Sequence, residues 1–362
     1  MYERFKALSL ILVSCGVAFL IVEFSYRFIK GLGVKNEFTV RTMLFDSGNN
    51  FQNHEGYFKY FPNTSIRSLT LYSKTEPKDI ADIVIEYDYV ISTNNVGLVM
   101  TNDLETNDKV AFVIGDSFTE GQGALPWFYD LESGYDTPDF IKLVNLGILG
   151  TGPMQWKNLA SSITKELGLR VKGSVVNIIP ADMPRSVWNF KVRELECLSK
   201  AKCDYLYGFQ GYKFIDSEGN EDIKRNILKS INQSIHIGSF FQLIRYFAKR
   251  SHVVTVIYDE FVSLNDNDDV VTQNEVALLA LKAAVNDKFF VNVVSEKSVN
   301  STNYEDYRYA KGLIEFLEVN SIDYGWCDIP LDGFHKNDSH PNAKGYTVLR
   351  KCTENALSNV FD

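Results

Sequence analysis

An apolar run stops abruptly at a serine in FVIGDSFTEG, residues 112–121. The run ends at Gly115, Ser117 follows two residues later, and a second glycine stands at 121. Near the far end of the chain, DSHPNAKGY places Asp338 two residues before His340, and His340 directly before a proline and a helical pattern. A serine hydroxyl is a weak nucleophile until a neighbouring base takes its proton. A carboxylate that holds the imidazole in one tautomer completes such a set. The order Ser…Asp…His is compatible with that geometry, so Ser117, His340 and Asp338 are the first candidates for nucleophile, base and orienting acid. His335 is a rival base, because DGFH at 332–335 also sets an aspartate before a histidine, though without the Pro-Asn-Ala-x-Gly continuation. Both remain open in the sequence.

These residues need elements that bring them together. From Lys109 onward the pattern alternates between short apolar runs and helical periodicity. KVAFVIG, FIKLVNLG (140–147), GSVVNIIP (173–180), HVVTVIY (252–258) and FFVNVV (289–294) read as buried parallel strands. Helical patterns cover 155–167 with Gly168 as the stop, 272–285, 303–319 and a terminal segment from about 340. Such alternation predicts a parallel sheet covered by helices on both faces, with ligands bound beyond the carboxyl ends of the strands. Ser117 stands at that edge, and Asp116 beside it reads as a turn or cap residue. Residues 185–250 read as a mainly helical insertion. Residues 36–105 read as a β-rich extension packed on the main domain of residues 106–362. Its clearest strand is IVIEYDYVIS, with Ile83, Ile85, Tyr87, Tyr89 and Ile91 on one face.

Three blocks in this order resemble the GDSL/SGNH hydrolases. GDSFTEG is similar to their first block, NLGILGTGP (145–153) to their second, and DSHPNAKGY to their last. Together they span residues 109–357. The resemblance implies a three-layer α/β/α, flavodoxin-like fold with a central parallel sheet and a shallow, open site. It implies ester hydrolysis or acyl transfer through an acyl-serine, on a small-molecule or glycan ester and without cofactor or metal. The Ser117 and Gly150 N–H groups would hold the oxyanion. One position departs from the family: its third block carries an asparagine after the third strand, and here Ile179-Pro180-Ala181-Asp182 puts Ala181 in that place. Alanine has no side-chain donor. Asn177, Asn189 and Arg185 are the candidate replacements; Asn177 falls inside the strand, which favours the other two. Arg185, Trp188 and Asn189 are also candidate substrate contacts, and Asp182 reads as a structural acceptor.

Composition narrows the partners. A net charge of −9 with no basic, aromatic-interleaved stripe argues against nucleic acid. No HExxH or CxxC spacing points to a metal. The 13% aromatic content suits a large core and also flat-faced ligands such as sugars. At the N-terminus no charge falls between Lys6 and Glu23. Residues 1–35 therefore read as a membrane anchor, with a spanning helix at about 7–26. An alternative is lipidation at Cys15, against which stand the apolar residues that follow it. Charge does not settle its orientation, with Arg4 and Lys6 before the run and Arg27, Lys30 and Lys35 after it; the catalytic domain is expected on the extracytoplasmic side, the periplasm in a bacterial cell. Cys197 with Cys203, and Cys327 with Cys352, are possible disulfide pairs there, and the sequence does not decide either.

Overall fold

The computed structural model describes residues 40–46, 50–73, 79–135, 141–198, 212–215, 219–235, 267–285 and 288–361, with positions 14, 18–19, 21–23 and 25 of the N-terminal run. The chain divides into two compact units. One comprises Arg41–Tyr72, Ile83–Ile223 and Asp268–Asp362, and it holds every residue of the site described below.

Five strands build its central sheet. β6 (Lys109–Gly115), β7 (Lys142–Gly147), β8 (Arg170–Ile178), β10 (Phe289–Val294) and β11 (Tyr324–Cys327) lie in the order β11-β10-β8-β6-β7. Every neighbouring pair is parallel. β6 is buried along all but its first residue, as a strand covered on both faces must be, which is why it reads as a continuous apolar run. Counted from β6, the order is 2-1-3-4-5, the doubly wound flavodoxin-like arrangement. The chain leaves β6 for β7 on one side and returns to β8 on the other. The crevice at the carboxyl end of β6 is therefore the topological switch point, where such sheets bind ligands.

The helices follow from their caps. Pro153–Leu167 starts with proline at its first turn and ends at Gly168 in the left-handed region (φ 63°), burying Trp156, Leu159 and Ile163. Ala343–Phe361 packs against β8, β10 and β11 and buries Leu349, Ala356 and Leu357. A disulfide joins Cys327 at the end of β11 to Cys352 in that helix, with the Cα atoms 5.8 Å apart.

The extension has its own architecture. β5 (Ile83–Ser92), β4 (Ser65–Ser73), β1 (Val40–Asp46) and β9 (Tyr212–Ile215) form a second sheet in that order. β9 comes from the stretch expected to be helical, and it pairs parallel with β1, Met43 opposite Tyr212. The extension and the insertion thus share a sheet. Four isolated residues carry too weak a period to announce such a strand. Around β9 the insertion is helical, at Val192–Leu198 and Asn220–Ile235. β5 alternates as its sequence predicts, with Ile83, Tyr87, Tyr89 and Ile91 buried and Val84, Asp88, Val90 and Ser92 exposed. A hairpin of β2 (Phe51–His54) and β3 (Tyr57–Tyr60) turns at Gly56. It stacks Phe51 on Phe190 and sets Phe58 against Trp188.

Three expectations fall elsewhere. The strand at 252–258 lies outside the described residues, as does Cys203 of the Cys197–Cys203 pair. So does most of the anchor at about 7–26; among the described residues no helix is long and apolar enough to cross a membrane.

Candidate active site

β6 ends at Gly115, and the chain turns at once into the short helix Ser117–Glu120. The turn tolerates no larger residue at 115: a Cβ there would lie 2.1 Å from Thr119 Oγ1 and 2.6 Å from the Asn177 carbonyl. Asp116 caps the helix, its Oδ1 accepting from Phe118 N–H at 2.8 Å. Gly121 closes it in the left-handed region, at φ 98°. Ser117 thus opens the helix, where a backbone N–H has no partner within the helix.

The loop after β11 delivers the other two groups. Ser117 Oγ lies 2.9 Å from His340 Nε2. His340 Nδ1 lies 2.6 Å from Asp338 Oδ1. A carboxylate only accepts, so Nδ1 carries the proton and Nε2 is left to accept from the serine hydroxyl. Asp338 Oδ1 also accepts His340 N–H at 3.1 Å. The three side chains are nearly buried, at 4% exposed for Ser117, 3% for Asp338 and 9% for His340. Lys297 anchors the loop from below, its Nζ donating to the carbonyls of His335, Lys336 (3.2 Å) and Asp338 (2.6 Å).

The structure does not bring His335 to the serine. Its Nε2 donates to the Gly123 carbonyl at 2.7 Å, and its ring packs 5.0 Å from that of Tyr87. Burial holds its pKa below the ordinary value. The DGFH alternative is a structural histidine.

Gly150 follows β7 with φ +69°, a conformation that favours glycine. Its two flanks are fixed. Leu149 N–H donates to Glu120 Oε2, and the Trp188 indole N–H donates to the Gly150 carbonyl at 2.9 Å. The Gly150 N–H makes no hydrogen bond among the described residues. Glu120 also accepts from the Tyr60 hydroxyl at 2.5 Å, and burial pushes its carboxyl up to about 8.

Of the other predicted residues, Asn189 turns to the β2–β3 hairpin, where its amide donates to the His54 carbonyl at 2.8 Å. Asn177 stays inside β8, its Oδ1 accepting from Asn292 at 2.8 Å. Ala181 N–H donates to Glu296 Oε1 at 3.2 Å. Asp182 is the acceptor its sequence position suggests, taking Ile179 N–H at 3.0 Å, and it forms an ion pair with the Arg185 guanidinium. Arg185 reaches the site itself: Nη1 donates to Asp116 Oδ2 at 2.8 Å, and the same Oδ2 accepts from Ser117 Oγ at 3.2 Å. Burial works against the guanidinium's charge, and the carboxylates of Asp182 and Asp116 outweigh it and hold its pKa above the usual arginine value.

Sequence reasoning missed Tyr87, Gln122, Lys297 and Glu120. Tyr87 donates to Asp338 Oδ2 at 3.0 Å and accepts from Gln122 Nε2 at 2.7 Å. The signal was present for Tyr87 alone: an inward-facing tyrosine on an alternating strand must find a partner for its hydroxyl. Among the described residues no group of three His, Cys, Asp or Glu side chains could hold a metal ion.

No protein-family model and no curated protein matches the chain. Solved structures similar to it include lipases and esterases, among them members of the GDSL and SGNH families. A lipolytic protein of the G-D-S-L family from Veillonella parvula DSM 2008 is 11% identical over 69% of this chain and 98% of its own, with a TM-score of 0.33. A catalytic mutant of an acetylxylan esterase from Geobacillus stearothermophilus is 12% identical over 70% of this chain and 95% of its own, with a TM-score of 0.34. A lipase/acylhydrolase from Enterococcus faecalis is 11% identical over 70% and 97%, with a TM-score of 0.33. At such scores these likenesses carry no functional weight, which falls on the geometry of the site.

Proposed function

We propose that this chain is a serine esterase of the GDSL/SGNH kind that cleaves carboxylic esters, carbohydrate O-acetyl esters among them, through an acyl-serine. The observation that carries the reading is the continuous relay from Ser117 Oγ to His340 Nε2 at 2.9 Å and from His340 Nδ1 to Asp338 Oδ1 at 2.6 Å.

In the first half-reaction His340 Nε2 takes the Ser117 proton while Oγ bonds to the ester carbonyl carbon. The carbonyl π electrons move to its oxygen, which the Ser117 and Gly150 N–H groups receive. Asp338 stabilises the imidazolium and keeps its orientation. The intermediate collapses, the C–O bond to the alcohol breaks, and the leaving oxygen takes the proton from His340. Water then attacks the acyl-serine, giving its proton to His340, and the acid leaves as Ser117 regains its hydrogen. If a sugar hydroxyl replaces water in this step, the same groups perform O-acyl transfer. The chain would work outside the cytoplasm, held by its N-terminal segment to the membrane. The Cys327–Cys352 disulfide supports that location, since such bonds persist in oxidising compartments.

The test is covalent trapping. A serine-directed fluorophosphonate labels the wild-type chain and leaves Ser117→Ala unlabelled. Equal labelling of both, or none of either at high probe concentration, removes the reading. Acetyl transfer to a polysaccharide acceptor that outpaces hydrolysis of an aryl acetate would place the chain among the transferases.

A further inference from the structure

The guanidinium of Arg185 lies between the two loops that carry the oxyanion donors. Nη1 donates to Asp116 Oδ2, on the residue before Ser117, at 2.8 Å. It also donates to the Thr151 carbonyl, on the residue after Gly150, at 3.0 Å. Laid end to end through Asp116 Oδ2, the contacts of 2.8 Å and 3.2 Å keep Nη1 within about 6 Å of Ser117 Oγ. Its Nε and Nη2 make no hydrogen bond among the described residues, and the side chain is 26% exposed. The backbone at Gly152 leaves no slack behind it, since a Cβ there would meet Arg185 Cβ at 3.0 Å.

No other residue considered for the third donor is available. Ala181 has no side-chain donor and its N–H is held by Glu296. The Asn189 amide donates to the His54 carbonyl, and Asn177 is held inside the sheet, its Oδ1 accepting from Asn292 on β10 and Thr353 on the terminal helix and its Nδ2 buried without a partner. Asp116 Oδ2 could also compete with His340 for the serine proton, because it accepts from the same hydroxyl at 3.2 Å. The Arg185 contact draws that oxygen's charge towards itself and leaves the proton to His340.

We infer that Arg185 is a catalytic residue of this site: it presents a fixed positive charge, through the edge bearing Nε and Nη2, to the oxyanion formed on Ser117, in the role that Ala181 cannot fill. The inference rests on the esterase reading above. A cation aimed at developing charge acts in the transition state more than on bound substrate, so its loss lowers kcat and leaves KM nearly unchanged.

Arg185→Met and Arg185→Lys, made in the full chain, test it with an aryl acetate alongside thermal unfolding. Arg185→Met lowers kcat by about 100-fold with KM within threefold, the scale of losing one oxyanion donor. Arg185→Lys, which keeps a point charge on a flexible stem, recovers at least tenfold of that loss. A purely structural role would lower the unfolding temperature of both variants and would not separate kcat from KM. If Arg185→Met does not fold, Arg185→Gln is the neutral variant read in its place. A neutral variant within threefold of wild-type kcat overturns the inference, as does a lysine variant no faster than the neutral one. Failure of the esterase reading is a different result: wild type itself then shows no activity beyond that of Ser117→Ala.

Discussion

The Tyr87 hydroxyl, carried on a strand of the extension, donates to Asp338 Oδ2 at 3.0 Å, while Oδ1 of the same carboxylate faces His340. The preceding residue of that strand repeats the grip, since Glu86 accepts Asn337 N–H at 2.8 Å and the Asn337 amide at 2.7 Å. The loop bearing the acid and base is thus aligned by an element far away in sequence. Strand β5 is part of the site's scaffold.

Tyr87→Phe keeps the ring against Tyr89 and His335 and removes only the hydroxyl. A hydrogen bond to a charged group contributes about 1.5–3 kcal/mol. If about half of that is felt in the transition state, kcat/KM falls by roughly three- to tenfold. Fluorophosphonate labelling of Ser117 slows in step, and the unfolding temperature moves little. A variant as fast as wild type would mean that Lys297 and the loop backbone hold Asp338 unaided.

Gly150→Ala forces a side chain into φ +69° and sets its Cβ 3.3 Å from the Trp188 ring. The peptide that presents the N–H must turn, so activity falls by about 100-fold or more. Trp188→Phe keeps an aromatic face beside Phe58 and deletes the indole donor to the Gly150 carbonyl. Its loss is smaller, on the order of tenfold or below, because Glu120 still holds Leu149 N–H. Steady-state kinetics on an aryl acetate rank the two; the reverse order would show that the indole and not the glycine sets the loop.

What the sequence reveals follows from how local each signal is. Ser117 was readable because the run before it and the glycines around it lie within ten residues. Asp338 and His340 were readable as a pair for the same reason, but choosing His340 over His335 required the fold, which gives the His335 Nε2 to the Gly123 carbonyl. β5 was readable from its period of two, while β9 was hidden because four residues inside an aromatic- and glycine-rich stretch carry no period worth reading. The contacts of Arg185 and Tyr87 are long-range: Arg185 meets Asp116 across 69 positions, and Tyr87 meets Asp338 across 251. No local pattern encodes them.

Glu120 gives a pH signature. Its carboxyl is fully buried and its pKa stands at about 8, against an ordinary 4.5. Below pH 4.5 the group is protonated whether the chain is folded or not, and it contributes no slope. Between pH 4.5 and about 8 the unfolded chain releases this proton and the folded one keeps it. Stability therefore falls as pH rises through that window, by up to ~1.4 kcal/mol per unit. Glu120→Gln reproduces the neutral acid: its amide oxygen accepts Leu149 N–H and its nitrogen donates to the Tyr60 hydroxyl. Denaturant unfolding at pH 5, 6, 7 and 8 should show a flatter dependence in the variant. An unchanged slope would assign the pH dependence to other groups.

The Cys327–Cys352 bond closes a loop with a sequence separation of 25, and Asp338 and His340 both lie inside it. Closing a loop of that length restricts the unfolded chain by about 3.5 kcal/mol. Cys352→Ala, or reduction of the wild type, should lower unfolding stability by about that amount. The folded loop is still held by Lys297 through three carbonyls and by Glu86 through Asn337. At 25 °C kcat therefore changes little, while thermal inactivation sets in at a lower temperature and coincides with unfolding. A large fall in kcat well below the unfolding transition would instead mean that the bond itself sets the His340 geometry.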